Sequence, residues 1–180
     1  MKKIENNENP SVCAKCGGKC CKSYGGLFHP KDFEEISEEA LIKIIDKGDI
    51  SIDWLEPDED FGYGQRIYFL RMRHVDAAVV DPAFVGTCVH LTPTGCDLPF
   101  DQRAYGCKTL EVDDEMNCAK GCYDKYEAAG DWLAYQDELK ALKKHYIEQQ
   151  LEEFAKDEQM MAILKRMGID IEIFKRCGFL

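Results

Sequence analysis

The stretch CAKCGGKCC, residues 13–21, puts four cysteines within nine positions and constrains this chain more than any other feature. Thiols crowded so closely have three chemical uses: disulfides, metal ligands or redox-active groups. The chain carries ten cysteines in 180 residues, and a second group follows at Cys88, Cys96, Cys107, Cys118 and Cys122. At this length a domain can bury a core without covalent staples. The opening MKKIENNENP is charged and polar and lacks the apolar run of a secretory signal. No stretch reaches the roughly 18 apolar residues of a membrane span. A cytoplasmic, reducing location is therefore the expectation, and structural disulfides are rare there. Unrelated buried thiols would have no reason to bunch. Metal or cluster ligation is the strongest of the readings.

Spacing does not name the metal. The second group has intervals of seven, ten, ten and three residues, unlike the paired C-x2-C knuckles of a zinc ribbon. Cys13-x2-Cys16-x3-Cys20 is not the run of bacterial ferredoxins either. Cys20 and Cys21 are adjacent, and neighbours in an extended segment point to opposite sides. On that assumption the pair serves two sites, or two irons of one cluster. Gly17, Gly18, Gly25 and Gly26 would let the backbone curl closely and turn its N–H groups toward sulfur.

Charge narrows the partners. With 34 acidic against 23 basic residues the formal charge is −11, which disfavours nucleic acid and anionic membranes. Arg66, Arg71, Arg73, Arg103 and Lys108 flank the cysteine segments; salt bridges to the abundant carboxylates are the plain reading, compensation of sulfur charge the functional one. His90, two residues from Cys88, is the only histidine placed to ligate, and a hydrogen-bonded role outweighs that.

The expected fold class is α+β: an α-rich single domain over 1–180 with a small β element and a cysteine-organised loop region around one or two metal sites. Residues 1–12 read as a disordered tail, 13–122 as the cysteine-cluster metal-binding region and 123–180 as helical. Phe33, Ile36, Leu41, Ile44 and Ile45 fall near one helical face, with Gly48 as the stop. ISIDWLEPDEDFGYG, residues 51–64 with Ile50, reads as an acidic loop around Pro57. QRIYFLRMR reads as a strand, with HVDAAVVD as its antiparallel partner. From Val85 to Cys122 periodicity is weak. Trp132, Tyr135, Leu139, Leu142, Tyr146, Leu151 and Phe154 predict one long amphipathic helix, and Met160–Met167 a second.

The pattern CxxCxxxCC, followed by CVHLTPTGCDLPFDQRAYGC and a further cysteine, resembles the YkgJ-type cysteine-cluster family over roughly residues 13–136. Its members are described as zinc- or iron-chelating or as iron–sulfur proteins, and include flagellin lysine N-methylases. The resemblance implies metal ligation by Cys13, Cys16, Cys20, Cys21, Cys88, Cys96, Cys107 and Cys118. Gly95 and Arg103 also match. One extra residue precedes the CC pair, and Ala104 stands where the family usually has proline. Cys122 is a reserve ligand and Cys177 a bystander.

Three functions follow. The first is an iron–sulfur protein, most simply with a [4Fe–4S] cluster, in electron transfer or redox sensing with a protein redox partner. The second is a structural zinc protein that binds partners through its helical surface. The third, from the resemblance alone, is a protein lysine methyltransferase-like enzyme, although no S-adenosylmethionine loop is visible.

Overall fold

The computed structural model describes residues 10–23, 26–56, 66–82, 86–111 and 121–156, together with 4, 6, 162 and 166. Cys118, Cys177, most of the EPDED loop and most of the expected helix over 160–167 lie outside the described residues. Ile50, Ile52 and Trp54 alternate with Ser51 and Asp53, the two-residue period of a strand. They form β1 (Ile50–Leu55), which pairs antiparallel with β2 (Ile67–Met72) in the register Ile50↔Met72 to Leu55↔Ile67. The partner of QRIYFLRMR is thus ISIDWL, read above as part of a loop, and not HVDAAVVD. That second segment instead lies along the other side of β1, where Ile52 and Val80 make a parallel bridge. On the free side of β2, Met72 N–H donates to Gly26 O and Phe28 N–H to Leu70 O, both at 2.8–2.9 Å.

The polar residues of β1 are buried, which explains why the strand was hard to see. Ser51 Oγ donates to Ala78 O at 2.9 Å. Arg71 on β2, only 2% exposed, donates to Asp53 Oδ2 at 3.0 Å and to Asp81 Oδ2 at 2.7 Å. Burial pushes the Asp53 carboxyl up, against the Trp54 amide and the Arg71 guanidinium, which pull it down. A buried charge is tolerated only when it is partnered in this way. The network ties the 78–82 segment to the ribbon.

Helices pack on this ribbon. α1 (Pro10–Cys16) and α2 (Lys19–Ser23) carry the first cysteines. α3 (Glu38–Ile45) is shorter than periodicity suggested: Ser37 Oγ caps it by accepting from Ala40 N–H, so Phe33 and Ile36 precede the helix while still packing on the core. A two-residue-arm hairpin, β3 (Leu91–Thr92) and β4 (Gly95–Cys96), and α4 (Tyr105–Lys108) give the middle of the chain more structure than its sequence announced. The long C-terminal helix is broken. α5 (Lys125–Asp131) starts at a capping box made by Asp124 and Glu127, ends at Trp132, and a 3₁₀ turn leads into α6 (Gln136–Lys156). Trp132, Leu139, Leu142 and Tyr146 from these elements meet Leu41, Ile45, Ile50, Ile52, Phe69 and Leu70 in the core. The fold is mixed α+β, helices around a small antiparallel ribbon. Among the described residues no helix is long and apolar enough to cross a membrane.

Candidate metal centre

The first cysteine segment is helical where it was expected to be extended. α1 ends at Gly17 and Gly18, whose φ angles of 64° and 72° reverse the chain into α2. Gly17 N–H closes the helix on Cys13 O at 3.2 Å, so this amide serves a carbonyl and not a sulfur. In a helix, neighbouring side chains are about 100° apart, not opposed. Cys20 and Cys21 on α2 therefore face the same space, with their Sγ atoms 3.9 Å apart. The extended backbone from which the pair was assigned to two sites, or to two irons of one cluster, is not what this segment adopts.

The second segment is brought to the first by backbone bonds. Cys88 N–H donates to Cys21 O at 2.8 Å, across 67 positions of sequence. The β3–β4 hairpin then carries Cys96, with Gly95 at φ 125°. α4 carries Cys107 and is docked at both ends: Asp32 accepts from Tyr105 N–H at 2.8 Å and pairs with Lys108 Nζ at 3.0 Å. Gly106 N–H donates to Leu27 O at 2.9 Å. Ala104 is fully buried and holds φ −56°, ψ 150°, a conformation open to the proline expected there.

Together these segments enclose one cavity of about 90 Å³. Cys13, Cys16, Cys20, Cys21, Cys88, Cys96 and Cys107 all line it, with Leu91, Phe100, Leu110 and the guanidinium-bearing Arg103. Seven of the eight cysteines singled out from sequence thus share one space; the eighth, Cys118, is outside the described residues. Cys122 does not line the cavity, and its thiol sits near its own neighbour's carbonyl, Tyr123 O, at 3.9 Å.

The thiols sense one another. The hydrogen bond from Cys21 lowers the Cys20 thiol to about 6, and the same bond, with burial, pushes Cys21 far up. Burial pushes Cys107 up to about 12, with further upward pressure from Cys88, Cys96 and Cys20. Cys88 is raised by burial first and then by Cys96 among its neighbours. Arg103, held by a bond from Nε to Leu98 O at 2.9 Å, pulls Cys20 and Cys107 the other way. Such a set of mutually repelling thiolates is costly unless cations neutralise it. Among the described residues, however, no three Cys, His, Asp or Glu side chains converge on a point that would hold a single ion. The sulfurs ring a space instead of meeting.

The other polar groups are accounted for. His90 Nδ1 lies 2.9 Å from Asp97 and its Nε2 3.6 Å from Asp49, outside the cavity lining. Arg66 pairs with Glu56 and covers the Trp54 ring, and Arg73 donates to Ile50 O. His74, set aside from the sequence with the other scattered histidines, is buried with neither ring nitrogen hydrogen-bonded, and burial and Arg71 hold its pKa down. It too is outside the lining. Gly26 completes the cradle: a Cβ there would run into Cys107 Sγ and lie 3.4 Å from Met72 Cγ.

Fold and site define a small α+β protein built around a cavity lined by cysteine. No family model, no curated protein and no solved structure matches the chain.

Proposed function

We propose that the cavity holds an iron–sulfur cluster and that the protein serves electron transfer or redox sensing. The observation that carries the reading is seven thiols lining one 90 Å³ space, more than the four that a single tetrahedral zinc takes. A single tetrahedral zinc with Zn–S bonds near 2.3 Å draws its four sulfurs to within about 3.8 Å of one another. A cluster holds its cysteines farther apart, because each thiolate binds a different iron and the inorganic core fills the middle. Arg103 would offset part of the cluster's negative charge, and the apolar Leu91, Phe100 and Leu110 would shield it from water, the two levers by which proteins tune such a potential. The resemblance in cysteine pattern agrees with this ligand set.

A second reading, structural zinc, is favoured by one distance. The 3.9 Å between Cys20 and Cys21 Sγ matches an edge of a ZnS₄ tetrahedron. Anaerobic purification separates the two. The cluster predicts coloured protein with iron and acid-labile sulfide, bleached on reduction. Colourless protein carrying stoichiometric zinc would sink it.

Gly26→Ala tests the cradle itself. The added methyl must push Cys107 aside, and displaced ligand support typically lowers metal affinity by about tenfold or more. Competition with a chelator reads that loss. Wild-type retention in the alanine variant would show that Cys107 is not fixed where its thiol is needed.

A further inference from the structure

The chain is strongly acidic, yet the segment that carries its first four cysteines is not. Between Glu8 and Asp32 the sequence holds Lys15, Lys19, Lys22, Lys31 and His29 and no carboxylate, against a formal charge of −11 for the whole. Lys15, Lys19 and Lys22 lie on α1 and α2 among the cavity cysteines, and all three are exposed. None of the three has a carboxylate within ion-pair distance among the described residues. The three lysines do not line the cavity, so they are not its internal counter-charge; Arg103 has that position. They share α1 and α2 with the half-buried Cys13, Cys16, Cys20 and Cys21.

We infer that this lysine collar is a docking surface for an acidic protein partner that approaches the thiol centre from the α1–α2 side. Solvated lysines attract a carboxylate-rich surface at long range and orient it toward α1 and α2, while the remaining acidic surface repels it elsewhere. That the partner exchanges electrons rests on the iron–sulfur reading; the docking itself does not. A partner lacking negative charge would gain nothing from this arrangement.

The test is binding of a fluorescent oligoglutamate peptide to the full chain at low salt. Two triple variants of equal net charge are compared: Lys15→Glu/Lys19→Glu/Lys22→Glu at the collar, and Lys43→Glu/Lys47→Glu/Lys140→Glu at exposed positions on or near α3 and α6. Wild type should bind, more weakly as salt rises, and the collar variant should lose about tenfold or more while the remote variant stays within about twofold. No binding, or equal loss in both variants, overturns the inference. Single-stranded DNA binding more tightly than oligoglutamate through the same lysines would overturn the partner class. Metal analysis of both variants is the second readout. Loss of bound metal at the collar alone would make the lysines part of the centre and overturn the docking role. If wild type carries no iron, the cluster reading fails while the peptide result still stands.

Discussion

Serine at Cys107 should strip the protein of the proposed cluster, while serine at Cys122 should leave iron and sulfide at the wild-type level. Cys107 sits at the meeting point of the site: its sulfur feels Cys88, Cys96 and Cys20, and α4 is fixed by Asp32 and by Leu27 O. A serine oxygen fits there sterically but stays protonated near neutral pH and is a hard donor, a poor substitute for thiolate on iron. The same loss is expected at Cys20, Cys21, Cys88 and Cys96, which share the repulsions just described. Cys122 is not among the residues that line this space. Metal binding of this kind contributes on the order of 10 kcal/mol to folding. The serine variants should therefore also be cut faster by protease within residues 86–111, the segment that carries Cys88, Cys96 and Cys107. Equal iron in Cys107→Ser and wild type would remove the cavity from the proposed function. Equal loss in Cys122→Ser would mean that the ligand set has been drawn wrongly.

Sequence made the site more legible than the fold. Clustering, a signal independent of secondary structure, pointed to Cys13–Cys21 and to the group from Cys88 to Cys122; the family resemblance narrowed these to eight, and the seven that are described share a cavity. How they share it was not legible: the argument from Cys20 and Cys21 assumed extended backbone, and five residues of helix reversed it. β1 escaped notice for a related reason. Its alternation is regular, but Ser51 and Asp53 look solvent-facing until Arg71 and Ala78 O are seen to receive them. A buried ion network converts a half-polar strand into a central one, and no local pattern records that. The long C-terminal helix was over-read because Trp132 fits the apolar stripe of α6 and yet terminates α5. His74 and the charge reversal around α1 and α2 were visible as letters but had no meaning until burial and pairing were known.

Trp132→Ala should be the most damaging change outside the cavity. The indole is fully buried, its ring meets Phe33 and Tyr135 at centroid distances of 5.7 and 5.9 Å, and Nε1 donates to Phe28 O at 2.8 Å. Truncating a core tryptophan costs about 3–5 kcal/mol through lost burial and the cavity left behind. The orphaned Phe28 carbonyl adds about 1–3 kcal/mol. Against a total stability of about 5–15 kcal/mol, that is enough to unfold a sizeable fraction of the chain. The effect should reach the thiols, because Phe28 belongs to the strand-like edge that also holds Gly26 and Leu27, the residues against which Cys107 and Gly106 are seated. Trp132→Phe separates the two terms. It keeps most of the ring and loses the hydrogen bond, so its cost should be about 1–3 kcal/mol, with metal uptake preserved. Denaturant titration at a fixed metal load reads both variants, since bound metal would otherwise add its own stabilisation. An alanine variant within about 1 kcal/mol of wild type would show that the indole is not a packed core group. A phenylalanine variant as unstable as alanine would place the cost in the hydrogen bond to Phe28 and not in the ring.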